Sequence, residues 1–229
     1  MGLALILADG DVPSRARLDA TWPGWDSGVD LVVAADGGAR HAGALEVAID
    51  HWVGDGDSLA AEALAALEAA GVPTERVRAD KDETDTELAI RTALRLGADG
   101  IVLLGALGGG RIDHALANIG LLSLPELRGR PAVILDGRAR LSELAGPADD
   151  GGPVEARLVG APGDLVSLLP VGAEARGVTT AGLAYPLDDE VLPVGTPRGL
   201  SNVLTASGAT VRLRTGRLLV IETPATFGA

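Results

Sequence analysis

Residues 31–58 read LVVAADGGARHAGALEVAIDHWVGDGDS, and they contain the pattern on which the fold prediction rests. Two short apolar runs, at 31–35 and 52–53, each lead directly into a loop of acids and glycines. Similar runs occur at 3–8, 76–79, 101–104 and 132–135, with helical patterns between them at 59–70, 85–96 and 114–127. Near-continuous apolar strands separated by helices predict a mostly parallel sheet, whose ligands bind beyond the carboxyl ends of the strands.

The second half of the chain follows a different pattern. Residues 146–153, GPADDGGP, have the composition of a turn or linker. Beyond them the helical period disappears, and short strands bounded by Gly and Pro are predicted at 155–159, 165–169, 175–179, 200–205, 210–214 and 218–222. The predicted fold class is therefore α/β, with a mostly parallel α/β domain at 1–145 followed by a small antiparallel β-sandwich domain at 153–229.

Composition excludes several classes of protein. The 229 residues have a formal net charge of −13 and no basic run, so a nucleic-acid partner is not expected. The absence of cysteine excludes disulfide scaffolds, thiolate metal sites and cysteine nucleophiles. The opening apolar run follows no basic segment and ends at Asp9, which predicts neither a signal peptide nor a membrane span. We expect a soluble, cytoplasmic protein.

Four polar residues are rare enough in this chain to invite a chemical explanation. Lysine occurs once, at Lys81, against 18 arginines, and tyrosine occurs once, at Tyr185. Asparagine occurs only at Asn118 and Asn202, and glutamine is absent. Drift of the composition toward Arg, Ala, Gly and Leu would also leave isolated exceptions, so rarity alone assigns no role.

The loop at 54–58 contains Asp55 and Asp57, two residues apart. Alternating carboxylates suit a hard divalent cation, which takes several oxygen ligands and tolerates retained water. The alternative is that Asp57 or Ser58 only caps the helix predicted from residue 59. Capping accounts for one of the two acids and leaves the other unexplained.

The charged segment at 80–87, DKDETDTE, contains the lone lysine. Thr84 and Glu87 form a capping-box pattern, which places Asp85 in the first turn of a helix, at the positive end of its dipole. The ordinary interpretation is a solvent-exposed run of charged residues that begins a well-capped helix. The functional interpretation is that Lys81 supplies a positive charge that binds a phosphate, and that the neighbouring carboxylates bind the magnesium ion of that phosphate.

A third loop, GALGGGRIDH at 105–114, leads into a helix that contains Asn118. Its glycines, Arg111 and the helix N-terminus predict an anion site built from main-chain N–H groups and a planar cation. The alternative makes Asp113 an N-cap and His114 a surface residue, but it leaves three consecutive glycines unexplained. Because the chain lacks the G-x-G-x-x-G fingerprint, the P-loop and the G-x-S-x-G elbow, magnesium–nucleotide chemistry is favoured over hydride transfer and serine hydrolysis.

Seven motifs, in order along nearly the whole chain, resemble those of the thiamine pyrophosphokinase (thiamine diphosphokinase) family. In the first half they are ADGG at 35–38, GDGDS at 54–58, DKDETD at 80–85 and GGRIDHALAN at 109–118. In the second half they are GDLVSLLPV at 163–171, GLAYPL at 182–187 and GLSN at 199–202. The chain departs from the family pattern in three places: an extra glycine before Arg111, Gly56 in place of a common aromatic residue, and Val203 in place of an acid.

The resemblance implies a homodimer of two-domain subunits that share the thiamine site. It places the catalytic, ATP-binding domain at 1–145 and the thiamine-binding sandwich at 153–229. It further implies transfer of a pyrophosphoryl group from ATP to thiamine with release of AMP, with Mg²⁺ as cofactor and ATP as co-substrate. The implied partners are these small molecules and a second copy of the chain, not nucleic acid or a membrane.

Site residues follow from the same resemblance. The implied magnesium ligands are Asp55, Asp57 and Asp85, with Asp82 as a further ligand or a supporting acid. The nucleotide phosphates would lie against Asp36, Gly37, Gly38, Lys81, Gly109, Arg111 and His114. The implied catalytic residues are Asp57, Asp85, Arg111 and Asp113, and either Asp113 or Asp85 would accept the hydroxyl proton. The pyrimidine side of thiamine would meet Tyr185, Ser201 and Asn202.

Two alternatives stay open. A related enzyme would pyrophosphorylate another heterocyclic alcohol, such as a pterin, although the GLAYPL and GLSN segments argue against a different acceptor. A non-catalytic module that binds nucleotide or thiamine would be expected to have lost one of four residues that are all present here: Asp55, Asp57, Asp85 and Arg111.

Overall fold

The computed structural model describes residues 2–147 and 151–227. The chain divides into two compact units, Met1–Gly137 and Arg138–Ala229. Residues 148–150 of the predicted linker lie outside the described residues. Within the described ranges no helix is both long and apolar enough to cross a membrane.

Six of the described strands form a parallel sheet in the first unit. Their order is β6-β5-β1-β2-β3-β4, and every neighbouring pair is parallel. The strands are β1 Leu3–Leu7, β2 Val29–Ala35, β3 His51–Gly54, β4 Thr74–Arg76, β5 Gly100–Leu104 and β6 Ala132–Leu135. The central strands β1 and β5 are buried along nearly their whole length, as expected for this architecture. The predicted mostly parallel sheet is confirmed.

The helices of the first unit differ from the prediction mainly in length. They are α1 Arg15–Thr21, α2 Ala42–Leu45, α3 Ala61–Ala69, α4 Asp85–Arg95 and α5 Ile112–Gly120, with 3-10 turns at Asp36–His41, Leu121–Ser123 and Pro125–Leu127. The helix predicted at 114–127 ends at Gly120 and is followed by a 3-10 turn, and the helical conformation stops at Leu124, which precedes a proline and has ψ of 131°. The strand predicted at 76–79 lies at Thr74–Arg76 instead, because its partner β3 ends at Gly54, opposite Arg76.

Packing of α4 brings its N-terminus to the carboxyl edge of the sheet. Its buried side chains include Ala89, Ile90 and Ala93, and the helix packs against β1, β2 and β3. The core beside these strands takes up Trp22, Trp25 and Trp52. Asp85, the first residue of α4, therefore lies near the loops that follow β2 and β3.

The second unit contains two antiparallel sheets, ordered β12-β9-β14-β7 and β11-β10-β13-β8. The strands are β7 Arg140–Gly146, β8 Val154–Arg157, β9 Leu165–Pro170, β10 Ala175–Ala181, β11 Glu190–Leu192, β12 Asn202–Val203, β13 Thr210–Leu213 and β14 Gly216–Thr223. Leucines and valines of both sheets form one buried cluster, which confirms the predicted sandwich. The strand predicted at 200–205 shrinks to β12 because Ser201, with φ of +54°, interrupts the extended chain. Strands β7 and β11 have no predicted counterpart.

Candidate active site

A cleft of about 400 Å³ lies at the carboxyl edge of the parallel sheet in the first unit. The loops after β1, β2, β3, β4 and β5 and the first turns of α4 and α5 line it. Six residues predicted for the site lie in its lining: Asp36, Lys81, Asp85, Gly109, Arg111 and His114. The rare Asn118 lines it as well. Ligands of parallel α/β sheets bind at this edge, so the cleft is the candidate active site.

The carboxylate of Asp36 joins the loops that follow β2 and β3. Its Oδ1 accepts the N–H of Gly56 at 3.1 Å, and its Oδ2 accepts that of Ser58 at 2.9 Å. Asp36 is only 3% exposed, and burial raises the pKa of its carboxyl group. One carboxylate oxygen from each of Asp36, Asp55 and Asp57 lies within 4.8 Å of the other two. This spacing fits oxygen ligands around one hard cation.

Neither Asp57 nor Ser58 caps a helix. Helix α3 begins at Ala61, and Ala60 occupies its N-cap position. Asp57 instead accepts a hydrogen bond from Ser58 Oγ at 2.8 Å, and this bond holds the pKa of Asp57 below its usual range. The capping alternative for this loop is therefore wrong.

Lys81 connects Asp55 with Asp85. Its Nζ lies 3.0 Å from Asp85 Oδ1 and 3.6 Å from Asp55 Oδ2, and its side chain is 15% exposed. Burial by itself lowers the pKa of Lys81, but the hydrogen bond to Asp85 and the charges of both acids outweigh burial, so the pKa lies above its usual value. The lysine stays protonated and balances part of the acidic charge of the site.

The N-cap part of the predicted capping box is confirmed. Thr84 Oγ1 accepts the N–H of Glu87 at 3.2 Å, and Thr84 is the N-cap of α4. Asp85 therefore lies in the first helical turn, where the helix dipole favours a negative charge.

Arg111 occupies the N-cap position of α5 and pairs with Asp113 in the first turn. Its Nε and Nη2 donate to the two carboxylate oxygens at 2.9 and 2.5 Å, and this pairing holds the pKa of Asp113 well below its usual range. The alternative in which Asp113 is the N-cap is wrong, whereas His114 is exposed as that alternative expected. Buried Asn118 donates to the main-chain oxygen of Ala106 at 2.9 Å, which ties α5 to the glycine loop.

The loop that follows β1 also contributes to the site, although no motif pointed to it. Asp9 and Gly10 line the cleft. The N–H of Gly10 donates to the main-chain oxygen of Gly105 at 2.8 Å, and Asp11 Oδ2 accepts the N–H of Gly109 at 2.9 Å. The loop thus holds the glycine loop in place. A signal was present in the sequence, because Asp9-Gly10-Asp11 follows an apolar strand as the loop at 54–58 does.

The other residues predicted for the phosphate and metal sites are not among the described residues that line the cleft. These are Gly37, Gly38, Asp55, Asp57, Asp82 and Asp113. Asp55 reaches the cleft through its contact with Lys81. A Cβ on Gly38 would overlap the main-chain carbonyl of Leu7, so packing against β1 requires glycine there. Asp82 is exposed.

A smaller pocket, of about 160 Å³, lies within the second unit. Tyr185, Ser201 and Asn202, the three residues predicted to meet thiamine, all line it. The side-chain amide of Asn202 donates to the main-chain oxygen of Tyr185 at 2.6 Å and accepts the Tyr185 N–H at 3.0 Å. Asn202 therefore holds the backbone of Tyr185, which is 66% exposed and has its ring available for a ligand.

The chain thus combines a parallel α/β unit that bears an acidic cleft with an antiparallel β-sandwich that bears a smaller pocket. Two family models match this chain. Residues 25–134 match "Thiamin pyrophosphokinase, catalytic domain", and residues 155–218 match "Thiamin pyrophosphokinase, vitamin B1 binding domain". The chain belongs to the thiamine pyrophosphokinase family.

Individual relatives agree with this assignment. The thiamine pyrophosphokinase of Bacillus subtilis is 28% identical over 169 residues, which cover 74% of this chain and 76% of the relative. A crystal structure of thiamine pyrophosphokinase from Bacillus subtilis has a TM-score of 0.78 at 24% identity and covers 97% of this chain and 99% of its own. The corresponding structure from Geobacillus thermodenitrificans has a TM-score of 0.76 at 27% identity, with coverage of 96% and 97%. The shared fold therefore includes both units.

Proposed function

We propose that this chain transfers the pyrophosphoryl group of ATP to the hydroxyl of thiamine and releases AMP. The observation that carries the proposal is the position of Lys81 between Asp55 and Asp85, in a site that also presents Arg111. An ammonium, a guanidinium and clustered carboxylates suit a polyphosphate with its metal ion. Membership of the family supports thiamine as the acceptor.

Magnesium is the proposed metal. Asp55 and Asp57 would hold it, with Asp85 as a third ligand and Asp82 as a further ligand or supporting acid. Oxygens of Asp55 and Asp57 converge with one of Asp36, which supports a cation site at this loop, because magnesium prefers carboxylate ligands. When bound, the ion would neutralise charge that develops on the transferred group.

The cations of the chain would bind and orient the nucleotide. Lys81, Arg111 and His114 would contact phosphate oxygens, and the N–H of Gly109 would join them by exchanging its bond to Asp11 for one to the phosphate. Because the pair formed by Arg111 and Asp113 is exposed, it contributes little stability, and the guanidinium can exchange its carboxylate partner for phosphate oxygens. The ADGG segment, including Gly37 and Gly38, would shape the same phosphate site from behind the cleft.

Catalysis requires the thiamine hydroxyl to lie in line with the β-phosphorus and to lose its proton. The two candidate bases are Asp113 and Asp85. Both oxygens of Asp113 accept hydrogen bonds from Arg111, and Asp113 is not among the described residues that line the cleft. Asp85 lines the cleft and is the better candidate.

Thiamine would be bound with its pyrimidine against Tyr185 and Ser201, in a homodimer whose subunits share the site. Exposed apolar side chains support a partner chain. Ile112 and Leu116, one turn apart on α5, are 75% and 64% exposed, and Leu200 is exposed at the pocket that contains Tyr185. Adjacent exposed apolar side chains, such as Ile112 and Leu116, form a continuous apolar surface of the kind that occurs at subunit interfaces. The division of labour between 1–145 and 153–229, and the cytoplasmic location, stay predictions.

The acceptor that the enzyme uses distinguishes this proposal from a related pyrophosphokinase that acts on a pterin and from a non-catalytic binding module. Turnover is measured with thiamine and with a hydroxymethylpterin at equal ATP and Mg²⁺, and the Asp57→Asn chain serves as the control. We expect turnover with thiamine and none with the pterin above that control. Turnover with the pterin alone would identify the related enzyme, and binding of ATP and thiamine without turnover would identify a non-catalytic module.

A further inference from the structure

The backbone of Asp36 is held in a sparsely populated conformation. Its φ of +41° lies in the left-handed region, which few residues other than glycine, asparagine and aspartate adopt. The indole Nε1 of Trp52 donates to the main-chain oxygen of Asp36 at 3.0 Å. Gly54 approaches so closely that a Cβ there would lie 2.7 Å from the Cβ of Asp36. Residues over-determined in this way cluster at functional sites.

The side chain of Asp36 holds the main chain on both sides of Asp57. Its two oxygens accept the N–H groups of Gly56 and Ser58, the neighbours of Asp57 in the chain. The N–H of Asp57 in turn donates to Asp55 Oδ1 at 3.1 Å. The backbone that carries both acids is therefore ordered around a single buried carboxylate.

Charge argues against direct contact between Asp36 and a phosphate. The charged groups that act on Asp36 include Asp85 and Asp55, both acidic. Among the described residues, no Lys or Arg forms an ion pair with Asp36. A carboxylate in this environment attracts no phosphate by itself, whereas it is well placed to accept main-chain N–H groups.

We propose that Asp36 is a positioning residue, which orders the loop at 54–58 so that Asp55 and Asp57 present their carboxylates together before metal or nucleotide binds. This inference rests on the proposed function, because it assigns Asp36 a task in the metal site of that reaction. Supporting residues of this kind raise metal affinity by orienting the ligands in advance.

Three variants compare the loss of the Asp36 acceptors with the loss of a proposed ligand and with the loss of a buried carboxylate elsewhere in the chain. Asp36→Asn replaces one acceptor by a donor, so that one N–H loses its partner, while asparagine tolerates the left-handed backbone. Asp57→Asn removes a proposed ligand and leaves the bonds to Asp36 in place. Glu222→Gln is the control for loss of a buried carboxylate, because Glu222 is 1% exposed and its Oε2 accepts two main-chain N–H groups, of Val159 at 2.6 Å and Gly160 at 3.1 Å, although its Oε1 also pairs with Arg140.

Two measurements are made on the protein without ATP or thiamine. Hydrogen exchange is followed at individual amides in the metal-free protein, and Mn²⁺ binding is followed by the EPR signal of the free ion. In Asp36→Asn we expect faster exchange at Gly56 or Ser58 and an affinity for Mn²⁺ lower by roughly 10- to 100-fold. Asp57→Asn should lower the affinity for Mn²⁺ and leave hydrogen exchange at both amides as in the wild type. Glu222→Gln should change neither the affinity nor the exchange.

Wild-type exchange at both amides in Asp36→Asn would overturn the proposal, as would faster exchange with unchanged Mn²⁺ affinity. If Asp36→Asn does not fold, Asp36→Gly is judged by the same criteria, since glycine accepts this φ and removes both acceptors. A failure of the proposed function would be seen separately, as absent turnover of thiamine by the wild-type chain.

Discussion

The ammonium of Lys81 lies 3.0 Å from Oδ1 of Asp85, the first residue of α4. The same nitrogen also contacts Asp55, on the loop that follows β3. One cation of the chain thus compensates two carboxylates that the proposed metal ion would also compensate. Removal of the lysine should therefore have different consequences with and without metal.

Lys81→Met leaves Asp55 and Asp85 without their counter-charge. We expect the free energy of unfolding to fall by about 1–3 kcal/mol in EDTA. The loss should be smaller in excess Mg²⁺, because the ion binds the folded chain and replaces the missing charge. Denaturant unfolding under the two conditions measures the difference. Arg76→Met, which breaks an exposed pair with Glu68, should have little effect in either. Equal losses for Lys81→Met in both conditions would contradict this account of Lys81.

Asp57→Asn should reduce turnover by at least about 10²-fold, the effect of deleting one electrostatic stabiliser of a transition state. Because Asp57 is exposed, the substitution creates no cavity, and the circular dichroism spectrum and unfolding midpoint should stay those of the wild type. A folded variant with activity within a few-fold of the wild type would remove Asp57 from the proposed metal ligands.

Arg111 and Arg78 offer a matched comparison. Each donates through Nε and Nη2 to an aspartate two residues further on, but of the two only Arg111 lines the cleft. Lysine lacks the planar fork that binds phosphate oxygens in pairs. Arg111→Lys should therefore lower kcat/KM for ATP by about 10²-fold, and Arg78→Lys should leave it within twofold of the wild type. Similar losses in both variants would mean that the pair matters for local structure rather than for nucleotide binding.

Mixed chains test whether two subunits share the site. A chain with Asp57→Asn and a chain with both Tyr185→Ala and Asn202→Ala should each be inactive. When they are mixed and refolded, one of the two sites in a heterodimer contains neither defect, so about a quarter of the wild-type activity should return. If native mass spectrometry shows heterodimers and activity stays absent, each site is built within one chain.

The parallel sheet and its acidic loops were predictable because both depend on local pattern. Apolar runs separated by helical periods predicted six strands, and the same pattern placed acids and glycines at the carboxyl ends. Boundaries were less predictable because they depend on partners. Thr74–Arg76 ends where its partner strand ends at Gly54, and the helical conformation after α5 stops at Leu124 because Pro125 follows it.

Contacts between distant residues account for what the sequence could not predict. The bonds from Asp36 to Gly56 and Ser58 depend on a backbone φ that no local motif specifies. The bond between Asp11 and Gly109 joins residues 98 positions apart. Likewise, Arg140–Gly146 alternates too weakly to be recognised as a strand before its pairing with Gly216–Thr223 is known.

ATP labelled at the β-phosphorus shows directly which phosphate bond of the nucleotide is cleaved. The purified chain is incubated with this nucleotide, Mg²⁺ and thiamine, and the products are separated by chromatography. We predict that the label appears in thiamine diphosphate, that an equal amount of unlabelled AMP is formed, and that excess EDTA abolishes both products. Labelled ADP together with thiamine monophosphate would contradict pyrophosphoryl transfer.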